Sequence, residues 1–201
     1  MQSGTHLDGE PPSGRRCGCM NRALLIIDYT VDFVADEGAL TCGAPGQAIE
    51  NRILSLIEEF LQNGDEIIMA VDLHEENDPD HPETKLYPPH NIRGTHGRDL
   101  YGGVQTIYEQ NKERMIWMDK TRYSSFTGTD LDIRLRAKGI TEVHLTGVCT
   151  DICVLHTAVD AYNRGFQVVI HEDAVQSFSS TGHEWALQHF KNAMGATVVS
   201  K

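Results

Sequence analysis

Short, fully apolar runs alternate along the chain with longer segments in which apolar residues recur every three or four positions. The first run, Ala23-Leu24-Leu25-Ile26-Ile27, stops at Asp28 and is typical of a strand buried on both faces. Similar runs predict further strands at residues 67–71, 115–118, 143–148, 167–170 and 197–199. Each run is short enough to be a strand and is separated from the next by a helical pattern or a polar loop.

The helical patterns predict four helices between or after these strands. Residues 45–63 place apolar side chains on one face and end at Gly64, and residues 130–138 end at Gly139. A third helix is predicted from about residue 151 to 164. Thr181-Gly182-His183-Glu184 has the pattern of a capping box and predicts a helix that runs to Met194.

Fully apolar strands separated by helices predict an α/β fold. We expect a single-domain three-layer sandwich with a mostly parallel sheet covered by helices on both faces. In such sheets ligands bind beyond the carboxyl ends of the strands. Polar residues at those ends are therefore the first candidates for chemistry.

Composition narrows the class of partner. The 201 residues include 17 Lys and Arg against 29 Asp and Glu, a net charge of −12, which argues against nucleic acid or an anionic membrane as partner. No apolar run approaches ~18 residues, so no membrane span is predicted. Five cysteines, an odd number, favour a reducing cytoplasm over a disulfide framework. Residues 1–19 lack any period and are expected to form a flexible leader, either natural or added to the protein. A single domain is expected at residues 20–201.

The turn after the fourth predicted strand carries the sharpest chemical signal. Cys149-Thr150-Asp151-Ile152-Cys153 lies between that strand and a helical pattern, so Cys153 is expected near a helix start. A helix start favours a thiolate, and the N–H groups of the turn can hold an oxyanion. The alternative is that both cysteines are small buried apolar residues, as most free cysteines are.

Two further strand ends favour the catalytic interpretation. Asp28 could accept the thiol proton of Cys153, and Lys120 could stabilise both the thiolate and the carboxylate. This set suits acyl transfer through a thioester. A dithiol redox centre would need closer cysteine spacing than the pair at 149 and 153, and Val159 occupies the position at which a phosphatase loop needs arginine.

The segment after the second predicted strand is rich in metal-binding side chains. Asp72 and His74 are alternate residues of an extended segment, so both could bind one ion. A solvated acidic loop is the competing interpretation. His81 and Glu83 are both candidates for a further ligand, and spacing does not decide between them.

Taken together, these residues resemble the isochorismatase-like cysteine hydrolases, and among them the nicotinamidase/pyrazinamidase group. The resemblance spans residues 20–201. Five ordered motifs carry it: Ile27-Asp28-Tyr29-Thr30-Val31-Asp32-Phe33, Asp72-Leu73-His74, Leu86-Tyr87-Pro88-Pro89-His90, Asp119-Lys120 and Gly147-Val148-Cys149-Thr150-Asp151-Ile152-Cys153-Val154.

The resemblance implies roles for the residues at the strand ends. The family's catalytic triad corresponds to Asp28, Lys120 and Cys153. Its cis peptide corresponds to the bond between Val148 and Cys149, and the N–H groups of Cys149 and Cys153 are implied as the oxyanion hole.

The resemblance also implies a metal site and an aromatic slot. Nicotinamidases of the family hold a divalent ion, and we expect zinc here, with manganese or iron as alternatives. The implied ligands are Asp72, His74, His90 and a fourth residue: Glu83 as in a streptococcal-type branch, our preference, or His81 as in others. The residues expected to hold the substrate ring are Phe33, Tyr87 and Tyr123. The family often has Trp at the position of Tyr87, so ring preference could differ here.

The function implied by the resemblance is hydrolysis of a carboxamide. We expect a metal-containing cysteine amidohydrolase that converts nicotinamide to nicotinate and ammonia through a thioester, in cytoplasmic NAD salvage. The alternative is another amidase or carbamoyl hydrolase of the same family. The expected partners are a small amide substrate and further copies of the chain in a homo-oligomer.

Overall fold

A six-stranded sheet in which every neighbouring pair is parallel forms the centre of the fold. The computed structural model of the chain describes residues 21–201, and the predicted leader at residues 1–19 lies outside them. The strand order is β3-β2-β1-β4-β5-β6. The strands are β1 (Arg22–Ile27), β2 (Glu66–Asp72), β3 (Ile116–Lys120), β4 (Glu142–Val148), β5 (Gln167–Gln176) and β6 (Thr197–Val199).

Alternation along the strands divides the core into two layers. In β1, Leu25 and Ile27 point into one apolar cluster, and Leu24 and Ile26 point into the other. The strand is fully buried at all four positions because both faces are covered. The prediction of a three-layer α/β sandwich is confirmed, with a sheet that is wholly parallel.

Seven α-helices supply the two outer layers within the described residues. The first cluster is covered by α5, α6 and α7, and the second by α1, α2, α3 and α4. The helices are α1 (Val31–Val34), α2 (Ala44–Ala48), α3 (Glu50–Asn63), α4 (Gly102–Gln110), α5 (Leu131–Ala137), α6 (Leu155–Asn163) and α7 (Ser180–Asn192). Short 3₁₀ turns cover Pro82–Lys85, His96–Arg98 and Lys112–Arg114, and a π-helical turn covers Thr150–Val154.

Several elements differ from the sequence prediction. The helix predicted at 45–63 is two helices that meet at Ile49, and the shared apolar face conceals the break. The helix expected from about 151 begins with the π-helical turn and becomes α-helical at Leu155. Strand β5 continues beyond 170 because the sheet accommodates its polar residues 171–173. Helices α1 and α4 were not predicted.

The cap of α7 is also a correction. The predicted capping box began at Thr181, but the N-cap residue is Ser179, whose hydroxyl accepts a hydrogen bond from the Gly182 N–H at 3.0 Å. Helix α7 therefore starts at Ser180 and ends at Asn192. Among residues 21–201, no helix has both the length and the apolar composition needed to cross a membrane.

Candidate active site

Asp28, Lys120 and Cys153 meet at the carboxyl edge of the sheet, as predicted. Asp28 follows β1, Lys120 ends β3, and Cys153 lies in the π-helical turn after β4. The Lys120 Nζ is 2.7 Å from the Asp28 Oδ2 and 3.8 Å from the Cys153 Sγ. All three side chains are buried, so their charges interact with little screening by water.

Strand alternation explains why Lys120 rather than Asp119 enters the site. Asp119 lies on the opposite face of β3, where it accepts hydrogen bonds from Arg98 at 2.5 Å and from the Trp117 indole at 2.7 Å. Lys120 stands beside Asp72 in the neighbouring strand, and its Nζ is 3.8 Å from the Asp72 Oδ1. The buried ammonium thus lies between two carboxylates.

Burial and charge set the protonation of the three groups. Burial raises the pKa of the Asp28 carboxyl to about 6, although the Lys120 charge works to lower it. Burial would lower the pKa of Lys120, but Asp28, Cys153 and Asp72 together raise it. Burial and the nearby carboxylates of Asp28 and Asp72 raise the pKa of the Cys153 thiol, although the Lys120 charge works to lower it. The resting site therefore holds a thiol beside a carboxyl group that can accept its proton.

The turn that carries Cys153, residues 149–154 and called the nucleophile turn below, begins with the cis peptide bond that the resemblance implied. The peptide bond between Val148 and Cys149 is cis. The Cys149 carbonyl accepts hydrogen bonds from the N–H groups of Ile152 and Val154, both at 3.1 Å, which hold the turn around Cys153. The use of the Cys149 and Cys153 N–H groups as an oxyanion hole stays a prediction.

A contact at this turn was not foreseen from the sequence. The Cys149 sulfur is 3.5 Å from the Cys42 sulfur. Both thiols are buried and free. Cys42 lies before α2, far from Cys149 in sequence, so no local signal joins the two.

Asp72, His74, Glu83 and His90 form a second cluster beside the triad. One potential ligand atom from each residue lies within 4.8 Å of the others, and all four residues are buried. The His74 Nε2 is 2.8 Å from the Asp72 Oδ2, and the His90 Nε2 is 3.6 Å from the Glu83 Oε2. The four side chains converge on one point, as expected of a metal site.

The chemistry of this cluster fits a divalent cation. The Asp72 Oδ1 and the His90 Nε2 are buried without a hydrogen-bond partner. Burial would lower the pKa of His90, but Asp72 and Glu83 raise it to about 10, because two buried carboxylates attract positive charge. Two carboxylates and two imidazoles are ligands that zinc, manganese and iron accept.

The structure distinguishes the two candidates for the fourth ligand. The His81 Nε2 is 2.9 Å from the Thr121 carbonyl, and its Nδ1 accepts a hydrogen bond from the Glu83 N–H at 3.3 Å. Both ring nitrogens of His81 are thus engaged, whereas the Glu83 carboxylate faces His90. The geometry favours Glu83 as the ligand, with His81 holding the turn that carries it.

Asp32 supports this cluster, a role that was not predicted although its motif was noted. The Asp32 Oδ2 accepts a hydrogen bond from the Asn91 N–H at 2.7 Å, and the Asn91 carbonyl accepts one from the His74 N–H at 3.1 Å. A Cβ at Gly97 would lie 2.1 Å from the Asp32 carboxylate, so glycine is required there. Asp32 therefore fixes the backbone next to His90, and through Asn91 the backbone of His74.

A narrow, mostly apolar cleft opens beside Cys153. Its walls contain the three aromatic residues that were expected to hold a substrate ring: Phe33, Tyr87 and Tyr123. Glu83 also lines it, so the cleft borders the potential metal ligands. Cys149, expected at the site for its N–H group, also lines the cleft. Sequence reasoning missed Leu40, Ile152 and Phe178 as lining residues, although Phe178 follows the end of β5 and could have been found by the strand-end rule.

Comparison with known proteins agrees with this geometry. The sequence profile of the isochorismatase domain matches residues 22–201. The chain belongs to the isochorismatase family. It is 58% identical over 181 residues to an uncharacterized isochorismatase family protein, PncA, of Bacillus subtilis (strain 168), which covers 89% of this chain and 99% of that protein.

Two solved structures of isochorismatase-like proteins carry named activities. The crystal structure of nicotinamidase/pyrazinamidase PncA from Bacillus subtilis matches with a TM-score of 0.88 and 58% identity, covering 90% of this chain and 100% of that one. The crystal structure of the pyrazinamidase of Pyrococcus horikoshii in complex with zinc matches with a TM-score of 0.78 and 31% identity, covering 90% and 99%. The fold and the family prediction are thereby confirmed.

Proposed function

We propose that this chain is a nicotinamidase, a hydrolase that converts nicotinamide to nicotinate and ammonia through a thioester on Cys153. The observation that carries the proposal is that one aromatic cleft borders both Cys153 and Glu83 of the ligand cluster. A flat amide in this cleft would place its carboxamide beside Cys153 and its ring beside the ligand cluster. The activities named for the similar structures support the same assignment.

In the first half of the reaction, Asp28 would accept the proton of the Cys153 thiol as the sulfur attacks the carboxamide carbon. The new C–S bond turns the carbonyl oxygen into an oxyanion, which the Cys149 and Cys153 N–H groups would stabilise. The C–N bond then breaks, and Asp28 returns the proton to the leaving ammonia. The Asp28 carboxylate and the Cys153 sulfur both lie beside the Lys120 ammonium, which supports proton transfer between them.

In the second half, Asp28 would take a proton from water as the water oxygen attacks the thioester. The C–S bond breaks, nicotinate leaves, and the Cys153 sulfur recovers the proton from Asp28. The Lys120 ammonium, 2.7 Å from Asp28 and 3.8 Å from the sulfur, would hold the negative charges in place during both halves. Its raised pKa keeps it charged throughout.

Asp72, His74, Glu83 and His90 would hold the divalent ion, with zinc as the expected metal. When bound, the ion would act as a Lewis acid that accepts the ring nitrogen of the substrate and polarises water. The residues of the chain supply the remaining selectivity: Phe33, Tyr87 and Tyr123 would cover the faces and edge of any flat six-membered ring.

Ammonia release from nicotinamide, pyrazinamide and benzamide tests the proposal. Nicotinamide should be hydrolysed with a kcat/KM roughly 100-fold or more above that of benzamide, because a site built for a polar contact rejects an analogue that lacks it. Pyrazinamide retains a nitrogen at the same ring position and should react. Prior treatment with a chelator should lower the rate on nicotinamide, and zinc should restore it.

The same three amides also define the results that would contradict the proposal. Similar kcat/KM values for benzamide and nicotinamide would contradict recognition of the ring nitrogen. Inactivity on all three compounds, with hydrolysis of a carbamoyl compound or an aliphatic amide, would assign the chain to the alternative activity within the family.

Three broader expectations belong to this proposal. The thiols of Cys42, Cys149 and Cys153 are unpaired, which supports a reducing, cytoplasmic compartment. Nicotinate production would serve NAD salvage. Homo-oligomer formation stays a prediction, and light scattering on the purified chain tests it.

A further inference from the structure

Phe178 is an aromatic residue of the catalytic cleft to which the proposed mechanism gives no role. It lies between the end of β5 and the N-cap of α7, and it lines the cleft together with Cys149 and Cys153. Its side chain is 48% exposed, although the residue is large and apolar. Phe178 belongs to neither apolar cluster that the described residues form. Core packing therefore does not explain why an aromatic ring stands there.

The backbone around Phe178 is held firmly on both sides. The Ser177 hydroxyl donates a hydrogen bond to the Asp151 carboxylate at 2.6 Å, and Ser179 caps α7. The Cα of Phe178 is thus fixed to the nucleophile turn, while its ring remains partly uncovered over the cleft. An ordered aromatic ring loses little entropy on binding a ligand.

The chemistry of the cleft identifies what such a ring would contact. The other aromatic walls come from three connections: Phe33 follows β1, Tyr87 lies between β2 and β3, and Tyr123 follows β3. Phe178 follows the end of β5. The cleft exposes far more apolar than polar surface, and aromatic side chains prefer to stack on, or meet edge to face, another flat ring. A flat substrate ring would bury the exposed part of Phe178.

We propose that Phe178 is a specificity-determining residue that covers the aromatic ring of the amide held at Cys153. The inference rests on the proposed function and adds a fourth aromatic wall to the site. It predicts that Phe178 contributes to substrate binding and to the limit on ring size, without taking part in proton transfer.

The test compares Phe178→Ala and Phe178→Leu with Trp185→Ala. Trp185 is the matched control because it is also aromatic and 55% exposed, lies on the adjacent helix α7, stacks on His189 and does not line the cleft. For nicotinamide, Phe178→Ala should raise KM roughly tenfold and change kcat by less than about threefold, since an aromatic contact contributes about one order of magnitude in affinity. Phe178→Leu should lie between Phe178→Ala and the wild type, and Trp185→Ala should match the wild type.

A larger substrate tests the limit on ring size. Quinoline-3-carboxamide keeps the nitrogen and the carboxamide of nicotinamide and adds a fused ring. Its kcat/KM relative to that of nicotinamide should rise in Phe178→Ala and stay at the wild-type ratio in Trp185→Ala. A residue that merely supports the fold would change both substrates equally and leave this ratio unaltered.

Several results would overturn the inference. One is a nicotinamide KM in Phe178→Ala equal to that in Trp185→Ala. Another is a loss confined to kcat, which would mean that Phe178 acts through the Cys149 turn. A third is an altered oligomer mass with unchanged KM, which would make Phe178 an interface residue. Failure of Phe178→Ala to fold leaves Phe178→Leu to decide by the same criteria. A wild-type chain that does not hydrolyse nicotinamide would instead refute the proposed function itself.

Discussion

Lys120 is the residue on which the charges of the site depend. Its side chain is fully buried, with the Asp28 carboxylate at 2.7 Å and the Asp72 carboxylate at 3.8 Å. Removing one member of a buried ionic group leaves the others without compensation, whereas a surface pair contributes little. The same residue type can therefore be essential at position 120 and dispensable at the surface.

Lys120→Met should lower the free energy of unfolding by about 3–5 kcal/mol because it leaves two buried carboxylates without their shared cation. Urea unfolding at pH 7 measures this change. Lys138→Met is the matched control, since Lys138 forms an exposed pair with Glu66 and should change stability by no more than about 1 kcal/mol. Equal midpoints for the two variants would contradict the central role of Lys120.

The two cysteines of the nucleophile turn should differ sharply in their effect on catalysis. Cys153→Ala should abolish turnover and retain the fold, because the covalent nucleophile is lost. Cys149→Ala should keep substantial activity, because the backbone N–H remains and the sulfur lies against the Cys42 sulfur and not in the Asp28–Lys120–Cys153 group. Ammonia release and circular dichroism of both variants measure this. Near wild-type activity in Cys153→Ala would refute the assignment of the nucleophile.

At the residue scale, sequence was sufficient where a local rule applied. Alternation in an extended strand predicted that Lys120 and Asp119 point to opposite faces, and Lys120 is the one buried in the site. The Asp-x-His spacing predicted that Asp72 and His74 face the same point, and both belong to the cluster. The choice between His81 and Glu83 could not be made, because it depends on the Thr121 carbonyl that engages the His81 ring. Contacts between distant segments of this kind leave no local pattern.

Among the elements, the connection from β2 to β3 concentrates the ligand set of the potential metal site. Asp72 ends β2, while Glu83 and His90 are held by a 3₁₀ turn and by the Asp32–Asn91 hydrogen bond. Only Asp72 and His74 lie at a regular spacing, as alternate residues of an extended segment. The geometry of the loop therefore comes from specific hydrogen bonds and not from an apolar period, which is why sequence gave only its composition.

The purified chain should carry about one tightly bound divalent ion, measured by elemental analysis of protein prepared without added metal or chelator. Glu83→Gln should lower the metal content strongly, because it removes a charged ligand. His81→Ala should lower it less, since His81 supports the turn through its hydrogen bonds to Thr121 and Glu83. Loss of metal in His81→Ala but not in Glu83→Gln would reverse this ligand assignment.

Helix α7 shows how local capping signals can mislead. The Thr181–Glu184 pattern fitted a capping box, yet Ser179, two residues earlier, caps the helix. The Ser179 N–H donates to the Ser177 hydroxyl, which in turn donates to the Asp151 carboxylate of the nucleophile turn. Tertiary contacts with that turn select the cap. The helix itself was predictable because Leu187 and Phe190 repeat at helical spacing in the core.

Ser179→Ala should therefore destabilise the chain by about 1 kcal/mol through loss of the cap on the Gly182 N–H. Thr181→Ala should have a smaller effect, since it leaves that hydrogen bond in place. The midpoints of thermal unfolding of the two variants measure the difference. A larger loss in Thr181→Ala would restore the capping box suggested by the sequence.

On the scale of the whole molecule, the parallel sheet places the chemistry and the structural polar groups in different regions. The ends of β1, β2, β3 and the turn after β4 supply the site. The fold class followed from apolar runs separated by helices, because those runs reflect burial on both faces of every central strand. The strand order was not predicted, since it depends on which crossovers form.

A buried pair of histidines, His144 and His171, lies in the sheet outside the site. The His144 Nδ1 is 2.9 Å from the His171 Nε2, and the His144 Nε2 is 2.8 Å from the Glu142 Oε1. Burial, together with the neighbouring His144 and Arg52, lowers the pKa of His171 to about 4. The charged groups that face this residue come from β4, α3 and β5: Glu142, His144, Arg52, Glu59 and Asp173.

This pair should make the fold sensitive to acid. A histidine whose pKa is lower in the folded state than in the unfolded state, about 6.5, binds protons preferentially when the chain unfolds. Stability is therefore retained above pH 6.5 and lost as the pH falls from 6.5 towards 4. From these two values, His171 alone should lower the free energy of unfolding by about 2 kcal/mol between pH 7 and pH 5.

Replacing His171 by Gln should remove most of that dependence, because glutamine keeps a hydrogen-bonding group beside His144 and does not titrate. Urea unfolding at pH 7 and pH 5 measures the slope for the wild type and for His171→Gln. His96→Gln is the control, since His96 is exposed and should leave the slope as in the wild type. A slope that persists in His171→Gln would contradict the assignment of the acid sensitivity to His171.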